Sequence, residues 1–125
     1  MADDATRPRR ALIVEDEMLV SMLLEDLLSD LSFDPVGPFA RLDEALAAAR
    51  TETFDFAVLD VNLNGKETYG VADILLERKI PFVFATGYGK SGLPPTYHDC
   101  DVLSKPFRRD DLARIVDRIA RPAAR

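Results

Sequence analysis

The chain has 125 residues, of which 47% are hydrophobic and 30% charged, with a net charge of −6. That length makes one domain with a real core, and an acidic chain without a basic stretch interleaved with aromatics argues against a nucleic-acid binder. No apolar run approaches the roughly 20 residues of a membrane span, polar residues rather than a signal peptide follow Met1, and the single Cys100 fits a reducing, cytoplasmic compartment.

Residues 1–10 are polar, include Pro8, and read as a flexible tail ahead of a domain over 11–121. Ala11, Leu12, Ile13 and Val14 form a short apolar run, the first predicted strand, which ends at Glu15 and Asp16. Apolar residues at 20, 23, 24, 27, 28 and 31 then keep helical spacing for three turns. Asp34-Pro35 forbids continuation, and residues 33–38 read as a weak, Pro-bounded second strand.

Leu42, Ala45, Leu46 and Ala49 predict a second helix with a small-residue face. Residues 56–59 are continuously apolar, as in a strand buried on both faces, and end at Asp60 before the polar turn Asn62-Leu63-Asn64-Gly65. Val71, Ile74 and Leu75 mark a third helix, about residues 67–78. Residues 81–85 make a fourth strand, with Pro81 tolerable at its start. Between 87 and 98 stand three Gly and the pair Pro94-Pro95, so a mobile loop or a short irregular helix is expected. Val102-Leu103 is a brief fifth strand. Leu112, Ile115, Val116 and Ile119 mark a last helix expected to end at 121, before a tail of 122–125, leaving no DNA-binding module behind it.

Strands alternating with helices imply parallel crossover units, hence an α/β domain of three layers. For five strands the common doubly wound, flavodoxin-like order is 2-1-3-4-5, with its switch point between strands 1 and 3. That order brings the Glu15-Asp16 end beside the Asp60 end. Taken alone, Asp60 could serve only to start a turn, and Asp16 and Glu17 only to open the first helix. Three converging carboxylates repel one another, and a hard divalent cation such as Mg²⁺ relieves that repulsion. Thr86 ends the fourth strand and Lys105 the fifth, a hydroxyl and an ammonium suited to an incoming phosphoryl group. An aspartate can attack phosphorus and hold an aspartyl phosphate.

With Glu15 and Asp16 after strand 1, Asp60 after strand 3, Thr86 after strand 4 and Lys105-Pro106 after strand 5, residues 10–121 resemble a response-regulator receiver domain of two-component signalling. The resemblance implies that Asp60 is the phosphoacceptor, assisted by Thr86 and Lys105. It implies that Glu15, Asp16, Asp60 and the backbone carbonyl of Asn62 bind Mg²⁺. Phe84-Ala85-Thr86-Gly87-Tyr88 is similar to a motif of single-domain alphaproteobacterial receivers, associated with histidine kinases of the HWE and related types. The implied partners are such a kinase and a downstream protein, with a phosphate-sink role as the other output. The pattern departs from most receivers at Val102, where an aromatic or His usually stands, so a rotating ring cannot report on Thr86. A change of order in loop 87–98 that re-aims Tyr88 is expected instead.

A Mg²⁺-dependent phosphatase also uses an Asp nucleophile on an α/β sheet, but usually has a second acid two residues later, where this chain has Asn62. A receiver-like binding module that never carries phosphate is the remaining reading, against which Asp16, Asp60, Thr86 and Lys105 stand together. Residues 60–65 match half an EF-hand loop, but Val71 stands where its bidentate Glu belongs. Gly87 to Gly92 matches a dinucleotide-binding pattern, yet Pro94-Pro95 follows where a phosphate-binding helix should begin.

Overall fold

The computed structural model describes residues 8–89 and 92–119. Its elements in chain order are β1 (Arg9–Val14), α1 (Met18–Asp30), β2 (Phe33–Phe39), α2 (Leu42–Thr51), β3 (Phe56–Asp60), β4 (Asn62–Leu63), β5 (Lys66–Glu67), α3 (Tyr69–Arg78), β6 (Phe82–Thr86), a 3-10 turn (Pro95–Tyr97), β7 (Asp101–Ser104) and α4 (Arg109–Ile119). Strands β2-β1-β3-β6-β7 form one parallel sheet in that order, with β4-β5 as a separate antiparallel hairpin. Setting the hairpin aside, this is the 2-1-3-4-5 order expected from the sequence.

Alternation along the strands divides the core between two faces. Leu12, Val14, Ala57, Leu59, Phe82 and Phe84 pack on one side with Ala45, Ala48 and Ala49 of α2 and Val71, Ala72 and Leu75 of α3. Ala11, Ile13, Phe56, Val58, Val83 and Ala85 pack on the other with Leu24, Leu27 and Leu28 of α1 and Leu112, Ile115 and Val116 of α4. Every residue of β3 and β6 is buried, whereas the edge strands β2 and β7 are only partly so. The small-residue face of α2 meets the sheet, as its alanines predict. On α1 only Ser21, Leu24, Leu27 and Leu28 are buried, and Leu23, one of the apolar residues at helical spacing, is 42% exposed.

The structure departs from expectation at several boundaries. β1 begins at Arg9, so Arg9 and Arg10 belong to the sheet rather than to a tail: the Arg10 N–H donates to Asp55 Oδ2 at 2.8 Å. The expected tails over 1–7 and 122–125, and the helix end at 121, lie outside the described residues. The polar turn after β3 is a hairpin closed by Asn64 (φ 50°) and Gly65 (φ 90°), the backbone that an Asn-Gly pair favours in tight hairpins. Because Lys66 and Glu67 are paired in that hairpin, α3 starts at Tyr69 rather than 67. Between β6 and β7 the described residues form no α-helix; the 3-10 turn Pro95–Tyr97 follows Pro94, and Gly92, whose N–H donates to the Gly89 carbonyl at 3.2 Å, is also in 3-10 conformation.

That segment is nevertheless anchored at its far end. Leu93 and Tyr97 are buried, and Tyr97 stacks on Tyr69 with ring centroids 5.0 Å apart while meeting Phe84 edge-on at 5.8 Å. The Tyr97 hydroxyl donates to Asp73 Oδ1 at 2.7 Å, and burial, followed by that carboxylate, pushes its pKa up to about 12. Val102 and Cys100 pack partly buried against the same cluster.

Candidate functional site

The carboxyl ends of β1, β3, β6 and β7 open into one crevice of about 510 Å³. β1 hands the chain to Glu15, which is 2% exposed, and then to Asp16. β3 ends at Asp60, 9% exposed, and β6 ends at Thr86, 6% exposed. Lys105 follows β7, and its N–H donates to the Thr86 carbonyl at 2.9 Å, which fixes the two strand ends together.

Glu15, Asp16 and Asp60 each offer a carboxylate oxygen, and these oxygens all lie within 4.8 Å of one another. Lys105 reaches in from the opposite side, with Nζ 3.1 Å from Glu15 Oε1 and 3.6 Å from both Asp60 Oδ2 and Glu17 Oε1. One ammonium among four carboxylates leaves the crevice strongly negative. Burial, and next the neighbouring Glu15 carboxylate, push the Asp60 pKa up to about 7, against the opposing pull of Lys105 and the Asn62 N–H. Burial lowers the pKa of Lys105, but Asp60, Glu15 and Glu17 together outweigh it and raise the balance. Three hard oxygen donors at this spacing, short of positive charge, fit a divalent cation such as Mg²⁺.

Each sequence-predicted residue has a definite place. Asp16 does not cap α1, because its Oδ2 accepts the Asn64 N–H at 2.9 Å and so ties the hairpin to the end of β1. The start of α1 is supported instead by Glu15, whose Oε2 accepts the Glu17 N–H at 3.1 Å. The Asn62 N–H donates to Asp60 Oδ1 at 3.3 Å, and Asn62 Oδ1 accepts the Gly65 N–H at 2.7 Å, tightening the turn. Thr86 Oγ1 accepts the Tyr88 N–H at 3.1 Å, and Tyr88 itself is 82% exposed. His98 is exposed as expected, its Nε2 2.8 Å from the Leu93 carbonyl oxygen.

Sequence reasoning missed Thr68. It is fully buried, and its hydroxyl donates to the Asp60 carbonyl at 2.6 Å. A Thr just before a helix is an N-cap signal, but nothing in the spacing says that its hydroxyl turns back toward β3. Also missed was an apolar patch at the start of α1, beside the crevice: Met18 is 74% exposed and Leu19 81%.

The response regulator receiver domain profile matches residues 11–117. The solution structure of SdrG from Sphingomonas melonis Fr1 superposes with a TM-score of 0.79 at 42% identity, covering 88% of this chain and 94% of that one. The BeF3-activated conformation of SdrG gives 0.74, also at 42% identity, over 90% of this chain and 96% of that one. The transcriptional regulatory protein PdtaR of Mycobacterium tuberculosis is 29% identical over 118 residues, or 91% of this chain and 58% of PdtaR. The chain thus spans little more than half the length of that relative. Among the described residues no helix is long and apolar enough to cross a membrane.

Proposed function

The chain belongs to the response regulator receiver domain family of two-component signalling, and from that premise we propose that Asp60 accepts a phosphoryl group from a phosphohistidine of a partner histidine kinase. The observation that carries this reading is the position of Asp60 at the end of a buried strand, clustered with Glu15 and Asp16 and 3.6 Å from Lys105.

An Asp60 carboxylate oxygen forms the new bond to phosphorus as the bond from phosphorus to the kinase imidazole nitrogen breaks. The electron pair of the broken bond stays on the imidazole. Glu15, Asp16, Asp60 and the Asn62 carbonyl would hold Mg²⁺, which offsets charge on the transferring phosphoryl oxygens. Lys105 turns from its carboxylate partners to an oxygen of the bound phosphoryl group, and the Thr86 hydroxyl donates to another. That second contact requires the Thr86 oxygen to move toward Asp60 and give up the Tyr88 N–H.

Partner choice follows from the surface next to the crevice. Met18, Leu19, Met22 and Leu23 expose an apolar face on the first turns of α1, directly after the acidic pair. A kinase that delivers phosphohistidine to Asp60 covers this face. The motif ending at Tyr88 supports a kinase of the HWE or related type. The proposed setting is the cytoplasm, and the proposed output is binding to a downstream protein or draining phosphate from the kinase. The BeF3-activated form of SdrG supports a phosphoryl-dependent switch in this chain.

Incubation with acetyl phosphate and Mg²⁺, followed by intact mass measurement, tests the reading. One added phosphoryl group, absent in Asp60→Asn, is expected. Sustained release of phosphate at a high rate would mark a phosphatase, and an unchanged mass a module that never carries phosphate.

A further inference from the structure

We propose that Thr68 is a positioning residue for the cation site, setting the main chain at the end of β3 that presents the Asp60 carboxylate and the Asn62 carbonyl. The inference rests on the Mg²⁺ site proposed above and extends it to a side chain that touches neither ion nor phosphoryl group.

Thr68 stands at the N-cap of α3, where a threonine hydroxyl ordinarily accepts a backbone N–H from the first helical turn. It makes no such bond here. Its hydroxyl donates backward to the Asp60 carbonyl at 2.6 Å and lies 3.3 Å from the Val61 carbonyl oxygen. Its own N–H donates to that Val61 carbonyl at 3.0 Å. One residue thereby holds two successive carbonyls where β3 leaves the sheet. On the sheet side, the Val61 N–H reaches Ala85 at a longer 3.4 Å, so the ladder is loosening at this point.

The hairpin that follows has two residues in each strand, too short to fix its own orientation. Leu63 buries its side chain in the core, and the hydrogen bonds that tie the hairpin's two ends to the crevice include Asp16 to the Asn64 N–H on one side and Thr68 to the Asp60 carbonyl on the other. The segment from Asp60 to Asn62 carries two of the proposed cation ligands, one side-chain carboxylate and one backbone carbonyl, and a cation of fixed geometry depends on the groups that orient its ligands. A hydroxyl buried at 0% exposure and spent on the β3 exit rather than on its own helix does that orienting.

The test is a Mg²⁺ titration of the full chain followed by backbone amide chemical shifts, on wild type, Thr68→Val, Thr68→Ser and Thr68→Ala. Thr68→Val keeps the side-chain shape without the donor, and Mg²⁺ binding about 10-fold weaker is expected. Should the valine variant fail to fold, serine and alanine both lack the methyl group and differ only in the hydroxyl. The same weakening, about 10-fold, is expected between those two, with serine close to wild type. Equal Mg²⁺ affinity of folded serine and alanine variants overturns the inference, even if alanine melts lower, because that outcome marks a bond that only supports the fold. A wild type that takes up no Mg²⁺ overturns the cation site as well, so the two failures are told apart.

Discussion

Asp16 Oδ2 accepts the Asn64 backbone N–H at 2.9 Å, so the residue after the first strand holds the hairpin that follows the third. Asp16 therefore has two separable roles, proposed cation ligand and hairpin anchor. Mg²⁺ should stabilise the wild type by roughly 2.7 kcal/mol at about 100 times its dissociation constant. Asp16→Asn keeps an acceptor for Asn64 but loses the charge, so it should abolish most of that gain with little change in the metal-free melt. Asp16→Ala should lose the gain and also lower the metal-free melting temperature. Thermal melts in EDTA and in Mg²⁺ check this, and a full Mg²⁺ shift in Asp16→Asn would remove Asp16 from the ligand set.

Asp60 carries a pH signature. Its pKa in the folded chain, about 7, lies above the ordinary aspartate value. Such a group contributes stability that is fully present below the unfolded pKa and is lost as pH rises through about 7. Metal-free Asp60→Asn should therefore be more stable than wild type by roughly 2 kcal/mol at about pH 8, and the gap should close toward about pH 4. Denaturant unfolding in EDTA across that range measures it. A gap independent of pH would show that Asp60 is not the strained carboxyl.

The parts of this site that follow a strand were legible, because a buried run ending in a polar residue marks a sheet edge by itself. Asp60 after residues 56–59 and Thr86 after 81–85 are of this kind, and the strand order then brings them together. Side-chain direction was not legible. Asp16 points to Asn64, and Thr68 turns away from its own helix. Nor could spacing reveal that Tyr69, Phe84 and Tyr97 form one aromatic set, since they meet only through the fold. That set explains why the Pro-rich end of segment 87–98 is anchored although its sequence forbids a regular helix.

The exposed face of α1 separates docking from chemistry. Leu19 and Met22 are 81% and 53% exposed, so Leu19→Ser with Met22→Ser should change stability by less than about 1 kcal/mol. Phosphotransfer from a kinase should slow by about 10-fold or more, the scale of losing an apolar contact or two. Labelling by acetyl phosphate should stay at the wild-type rate. Measuring both rates on one protein sample decides it: a parallel loss points to damage at the crevice, and no loss in either clears the patch of a docking role.

The switch is expected at the Thr86 hydroxyl. In the phosphate-free chain Thr86 Oγ1 accepts the Tyr88 N–H at 3.1 Å, and Tyr88 projects into solvent. Val102, partly buried against the Tyr97 and Phe84 cluster, offers no ring to rotate. In the proposed switch a phosphoryl group on Asp60 would engage the Thr86 hydroxyl as a donor and draw the oxygen inward, away from Tyr88. The Tyr88 N–H would then give up its bond to Thr86 Oγ1, and the chain from Gly87 to Gly89 would shift with it. Further along, Tyr97 is already held by Tyr69 and Asp73, so the change should stop short of it. Amide hydrogen exchange with and without beryllofluoride plus Mg²⁺ gives the readout. Protection should change at residues 87–89 and stay constant at Tyr97 and Cys100, whose N–H donates to the Tyr97 carbonyl at 3.0 Å. Thr86→Val should remove the response at Tyr88 while leaving Asp60 able to take the phosphoryl mimic. Unchanged exchange at Tyr88 in the wild type, or an equal response in Thr86→Val, would mean that the signal leaves the crevice by another route.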